Sequence, residues 1–134
     1  MKKIKKLKIK IFSNKTGKLI PISFNKKFPI KVKRIFHLYG KKNKIRGNHA
    51  HKKCSQVFIP ILGKLILNIK TPNTEKKITL NHSVNTAVVV PPKHWCSIKF
   101  INKNSILMVV CDQYYKANDY LKNFDDYKKY LRKK

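Results

Sequence analysis

An all-β domain, a sandwich or barrel finished by one C-terminal helix, is what this sequence predicts, and three observations predict it. Apolar residues alternate with lysines over several short stretches, or run continuously for four to six residues. Gly, Pro, Asn and Thr separate those stretches at short, regular intervals. Only the stretch from Tyr120 to Leu131 changes to a helical period.

The elements follow in chain order. Ile9 and Ile11 alternate with Lys8 and Lys10, and a turn at Asn14–Gly17 leads into a strand over Leu19–Phe24. Ile30 and Val32 alternate with Lys31 and Lys33, and that strand continues through Ile35 to Tyr39. Val57–Leu62, Leu65–Ile69, Lys77–Leu80, Ala87–Val90, Ser97–Ile101 and Ile106–Val110 complete the set. Gly40, Gly63, Thr71–Asn73, Pro91–Pro92 and Asn102–Asn104 supply the turns. Many short strands so punctuated indicate a sandwich or barrel. At the C-terminus Tyr120, Phe124, Tyr127 and Leu131 share one helix face, with Asn118 or Asp119 available as the cap and a run of Lys and Arg at the far end. This aromatic stripe reads as core packing.

The chain has 134 residues, which suits a single domain, 1–134. No run of about 18 apolar residues is present, so no membrane span is expected. The segment from Met1 to Phe12 alternates Lys with Ile and Leu and is not expected to be a signal peptide. Cys54, Cys96 and Cys111 are odd in number and form no CxxC pair, which suggests reduced thiols and a cytoplasmic location. The formal charge is +28, from 33 basic and 5 acidic residues. Such a charge suggests nucleic acid, but only Arg34, Arg46 and Arg132 are Arg, and the charge runs the whole length of the chain. Base reading leans on the Arg fork, and richness in Lys, Asn, Ile, Phe and Tyr is what an AT-rich coding sequence produces. No specific nucleic-acid partner is expected; attraction of small anions is.

Paired-carboxylate chemistry is disfavoured, because the acids are only Glu75, Asp112, Asp119, Asp125 and Asp126, four of them near the C-terminus. A general base is then sought among His37, His49, His51, His82 and His94. The informative run is Arg46-Gly47-Asn48-His49-Ala50-His51-Lys52-Lys53. On a strand, His49 and His51 face the same side. Gly47 allows a close backbone approach, and Arg46 and Lys52 add phosphate-binding charge.

Gly47-x-His49-x-His51 resembles the first cupin motif, and Val90-Pro91-Pro92-Lys93-His94-Trp95 resembles the approach to the second. The resemblance implies a cupin double-stranded β-helix, a jelly-roll barrel with one C-terminal α-helix. Metal-binding cupins carry a Glu where this chain has Gln56 and a His where it has Cys96, so no metal is expected. A narrower resemblance covers nearly the whole chain. Phe28-Pro29-Ile30-x-Val32-Lys33-Arg34-Ile35-Phe36, the RGxHAHKK run, Gln56, Gly63, Val90-Pro91-Pro92, Trp95, Tyr114-Tyr115 and Asp119-Tyr120 are similar to the dTDP-4-keto-6-deoxyglucose 3,4-ketoisomerases.

That family implies a metal-free, cofactor-free cupin acting on a dTDP-linked keto-sugar, and a homodimer with strand exchange. By position it implies His49 and His51 as the acid/base pair and Arg46 as a substrate contact; His51 is taken first as the base, an order that spacing alone does not set. The chemistry moves a ketone from C4 to C3 through an enediol. Asn48 or His37 can donate to the oxyanion; Arg34 and Lys52 join Arg46 as diphosphate candidates; Trp95 either stacks on thymine or packs in the core. The segment Ser13–Gly17 lacks the family's usual Asp and Arg, Ser23 stands for a Glu, His37 for a Tyr and Cys96 for a His. Two rivals remain. One is a nucleotide-sugar 3,5-epimerase, which needs a His–Asp pair and a Tyr and is opposed by the scarcity of carboxylates before Asp112, where only Glu75 stands. The other is a non-catalytic nucleotide-sugar-binding cupin.

Overall fold

The computed structural model describes residues 1–133. Twelve strands are present: β1 Lys5–Lys8, β2 Phe12–Asn14, β3 Gly17–Leu19, β4 Arg34–Lys41, β5 Ile45–His51, β6 Gln56–Leu62, β7 Lys64–Lys70, β8 Glu75–Asn81, β9 Thr86–Val90, β10 Trp95–Phe100, β11 Asn104–Cys111 and β12 Tyr120–Leu121. A 3₁₀ turn spans Ala117–Asp119, and helix α1 runs over Phe124–Arg132. Two five-stranded antiparallel sheets, ordered β1-β9-β6-β11-β4 and β12-β5-β10-β7-β8, face each other as a jelly roll, and β2-β3 forms a separate hairpin.

Alternation along the strands builds three apolar layers. Phe58, Leu65, Leu67, Val88, Ile98, Phe100, Leu107 and Val109 fill the space between the sheets. The opposite face of the first sheet, with Val57, Ile59, Val89 and Val110, is covered by Ile22, Phe28, Ile30 and Val32. Strand β6 is buried on both faces, which explains its unbroken apolar run. On the outside of the second sheet, α1 places Tyr127 against Ala50, Trp95 and Leu121. The Tyr127 hydroxyl donates to Lys93 O at 2.9 Å and Lys70 O at 3.3 Å, tying the helix to the β9–β10 turn and the end of β7.

Four expected elements are corrected. Ile9 and Ile11 lie beyond β1, because β9 begins at Thr86, the partner of Lys8; Ile9 keeps one bond, to Asn85 O. The strand expected over Leu19–Phe24 stops at Leu19, and the one expected at Ile30 starts only at Arg34. Residues 20–33 form no ladder, the one backbone bond to a strand being Lys33 N–H to Cys111 O at 2.9 Å, and Pro21 and Pro29 lack the ladder N–H; the apolar side chains of this segment cover the sheet without joining it. The helix begins four residues later than the sequence pattern suggests. Asn123, not Asn118 or Asp119, caps it, accepting from Asp125 N and Asp126 N at 2.9 and 3.1 Å.

Gly40 illustrates how tightly the layers fit. A Cβ built there would overlap the Phe100 ring, which is fully buried. Gly40→Ala is expected to destabilise the fold by about 1–3 kcal/mol, the usual cost of overpacking. Guanidinium unfolding checks this; an unchanged midpoint would show that the ring has room to move.

Candidate active site

The site begins with an irregularity in β5. In the pairing with β10, Cys96 opposes His49 and Ser97 opposes Gly47, so Asn48 is an inserted residue. Gly47 and Asn48 both have positive φ, 96° and 62°. This is a β-bulge. A side chain at Gly47 would approach Cys96 O to 3.0 Å from its Cβ, so a glycine suits the position. The bulge also changes side-chain parity. Arg46 and His49 are three residues apart and would face opposite sides of a regular strand; the inserted residue brings both to one wall.

That wall belongs to a cavity of about 180 Å³ inside the barrel. Phe36, Leu38, Phe58, Ile98 and Val109 give it an apolar lining. Arg46, His49, Gln56, Cys96 and Tyr120 supply the polar groups. Strand β12 adds the last piece: Tyr120 pairs directly with His51 across the ladder. Its ring centroid lies 5.0 Å from that of His49 and 4.4 Å from that of His51, and the two imidazoles are 5.1 Å apart, edge to face.

His51 is held from behind. Its Nδ1 is 2.8 Å from Asp119 Oδ2, and the other carboxylate oxygen accepts the Lys53 N–H at 2.7 Å. A carboxylate only accepts, so Nδ1 carries the proton and Nε2 keeps its lone pair. Nε2 is buried without a hydrogen-bond partner. Burial is the main cause lowering the His51 pKa below its ordinary value; Asp119 opposes the shift and Arg34 adds to it. The imidazole is therefore neutral at pH 7, as a base must be. Burial, then His51 and Lys122, lowers the His49 pKa to about 4. An unfolded histidine titrates near 6.5. Between pH 6.5 and 4 the unfolded chain thus binds a proton that the folded chain refuses, so stability falls as pH falls through this window. Unfolding midpoints measured from pH 7 to 4 should decline, and His49→Asn should flatten the decline. An equal slope in both proteins would contradict this burial.

Arg34 lies beside this group. Its guanidinium stacks over Phe36 and Tyr115 at 5.4 and 5.7 Å and donates to Cys111 Sγ at 3.6 Å. Burial acts to lower its pKa, but Tyr120 and Cys111 outweigh burial and the net shift is upward. It stays charged.

The other expected site residues lie elsewhere. Asn48 is exposed in the bulge and does not line the cavity. His37 occupies an outward register of β4, between Phe36 and Leu38 that point inward, and is exposed. Lys52 follows His51 in the alternation and faces α1, with Nζ 5.6 Å from the Tyr130 ring. Trp95 precedes the cavity-lining Cys96, so it faces outward, buried against Phe124 and Tyr127; of its two expected roles it takes core packing. His94 is buried, with Nδ1 3.1 Å from Pro91 O and from Pro92 O.

The helical period makes Asp119 one of two candidate caps and Tyr120 part of the helix face, so neither is expected in the site, although Asp119-Tyr120 forms part of the family resemblance. The better signal was Asn123 followed by Asp125 and Asp126, a stronger helix start that leaves 119–120 outside. Asp119 also corrects the argument from carboxylate scarcity, since the C-terminal segment returns to the barrel and supplies a His–Asp pair.

The donors here suit a metal ion poorly. A ring nitrogen of His51, Cys54 Sγ and an Asp119 oxygen lie within 4.8 Å of one another. Yet Nδ1 is spent on Asp119, and a hydrogen bond to Cys111, with burial, pushes the Cys54 thiol upward, away from the thiolate a metal needs. Gln56 is an uncharged amide, and burial pushes Cys96 up to about 12.

A jelly-roll barrel with a neutral His–Asp pair beside an internal cavity defines a cupin built for proton transfer. A family model described as "FdtA: WxcM-like, C-terminal" matches residues 2–132. The TDP-4-oxo-6-deoxy-alpha-D-glucose-3,4-oxoisomerase of Aneurinibacillus thermoaerophilus is 32% identical over 118 residues, 87% of this chain and 84% of that one. Among solved structures, the sugar 3,4-ketoisomerase QdtA of Thermoanaerobacterium thermosaccharolyticum, in complex with TDP, has a TM-score of 0.88 at 30% identity, covering 95% of this chain and 93% of that one. A His-to-Asn variant of QdtA has been solved with TDP-4-keto-6-deoxyglucose. A 3,4-ketoisomerase from Helicobacter canadensis has a TM-score of 0.89 at 26% identity, covering 97% and 98%. This chain belongs to the FdtA family of sugar 3,4-ketoisomerases.

Proposed function

We propose that this chain converts TDP-4-keto-6-deoxyglucose to a TDP-3-keto-6-deoxyhexose, with His51 as general base. The observation that carries the reading is the neutral His51 whose Nδ1–H is fixed by Asp119 at 2.8 Å, leaving Nε2 free to take a proton. The proton at C3 is acidified by the adjacent C4 ketone. His51 removes it, an enediol forms, and a proton returns at C4. Carbon oxidised at C3 is balanced by carbon reduced at C4, so no redox cofactor is needed. His49 assists within the same pocket, and Arg46 at the cavity wall meets the diphosphate. The 3-keto product is a substrate for amino transfer.

Several further features belong to this reading. The chain acts as one domain in the cytoplasm, supported by three buried, unpaired cysteines. Nucleic acid is not its ligand. It works as a strand-exchanged homodimer. In support, the β2–β3 hairpin pairs with no other strand and exposes Phe12 and Leu19, while β4 is an open sheet edge with Tyr39 74% exposed. A lone hairpin is marginal in water, and a second copy would cover it.

The His–Asp pair and nearby Tyr also favour a 3,5-epimerase. Proton NMR in D₂O separates the readings. Ketone movement with deuterium at C4 supports the ketoisomerase. Deuterium at C3 and C5 with the ketone still at C4 supports the epimerase, and bound but unchanged substrate supports a binding protein.

A further inference from the structure

We infer that Tyr120 is a catalytic residue that carries the hydroxyl proton between the two sugar oxygens, a step the imidazoles leave unassigned; this rests on the ketoisomerase reading. Moving a ketone transfers two protons. One travels on carbon, from C3 to C4, and His51 accounts for it. The other must leave O3 and reach O4.

Tyr120 is placed for that task. It lines the cavity, and the His51 ring packs against it, 4.4 Å between centroids. A sugar in the cavity therefore meets the phenol beside the base. Arg34 stacks on Tyr115, which itself lies against Tyr120, so a guanidinium stands in the same aromatic group to stabilise a phenolate. Tyr115, at 5.6 Å, braces the ring from another side.

The step balances. His51 takes the C3 proton, the C3–H electron pair becomes C3=C4, and the C4=O pair moves to O4, which takes the phenol proton. The phenolate then takes the proton from O3, the C3=O bond forms, and the C3=C4 pair takes a proton at C4 from the imidazolium. Tyr120 and His51 end as they began, with no co-reactant.

Tyr120→Phe keeps the stacked ring and removes only the hydroxyl. Turnover of TDP-4-keto-6-deoxyglucose should fall about 10²-fold, with KM and TDP affinity nearly unchanged. Near-wild-type turnover would overturn the assignment. If the variant misfolds or loses TDP, 3-fluorotyrosine at position 120 gives the answer. Its more acidic phenol should move the alkaline limb of the kcat profile to lower pH, and an unmoved limb would overturn the assignment. A wild-type chain that leaves the substrate unchanged defeats the ketoisomerase reading itself; an active wild type with an indifferent variant defeats only Tyr120.

Discussion

Replacing His51 with Asn is expected to lower turnover by about 10³–10⁴-fold, the upper part of the range for a positioned acid/base group. The size follows from its double duty, since in the proposed reaction one nitrogen takes the proton from C3 and returns a proton to C4. Asn preserves much of the shape and can still donate to Asp119, so the fold and TDP affinity should survive. It has no lone pair basic enough to remove a proton near neutral pH. NMR turnover, circular dichroism and TDP titration check all three points. A folded His51→Asn protein that turns over at a near-wild-type rate would remove His51 from the mechanism and shift attention to His49.

Asp119→Asn should cost about 10³-fold, approaching the loss seen when the carboxylate of a Ser-His-Asp triad becomes an amide. The reason is geometric. One Asp119 oxygen accepts from His51 Nδ1 at 2.8 Å and the other from Lys53 N at 2.7 Å. Asn cannot accept at both. If its oxygen serves the Lys53 N–H, which has no other orientation, its NH₂ faces Nδ1 and donates to it. The imidazole proton then moves to Nε2, the atom that must be free. The ring stays in place and the base is lost. Substrate KM should change little while kcat falls, and ¹⁵N NMR should report the tautomer switch directly. An unchanged tautomer with unchanged kcat would show that Asp119 only packs.

Much of this was legible from the chain alone. Strand β4, strands β6 to β11, most of the turns and the terminal helix rest on period and punctuation, which are local properties; Gly40, expected as a turn, instead lies inside β4, and β5 is legible only through its histidine motif. The motif around His49 and His51 is also local, because alternation on one strand puts both rings on one face. Resemblance over the RGxHAHK run and its flanks pointed to the family. By contrast, parity alone left Trp95 open between stacking and packing, and misplaced Lys52, His37 and Asn48. Trp95 and Lys52 face the helix because their neighbours Cys96 and His51 face inward, His37 takes the outward register of β4, and Asn48 is the inserted residue of a bulge.

What only the tertiary structure decided is which distant residues complete the site. Asp119 and Tyr120 lie 68 and 69 positions beyond His51 in the chain and reach it through a two-residue strand, β12, whose period is too short to read. A helical spacing from Tyr120 to Leu131 competed with that strand on equal terms in the sequence. The competition was settled by the Asn123 cap and by the open flank of β5, which offered Tyr120 and Leu121 backbone partners that a longer helix would have forgone. Sequence therefore determined the barrel and the histidines, which depend on neighbours in the chain. Folding determined the orientation of the base, because a tautomer is set by whichever group occupies the other nitrogen, and here that group arrives across space.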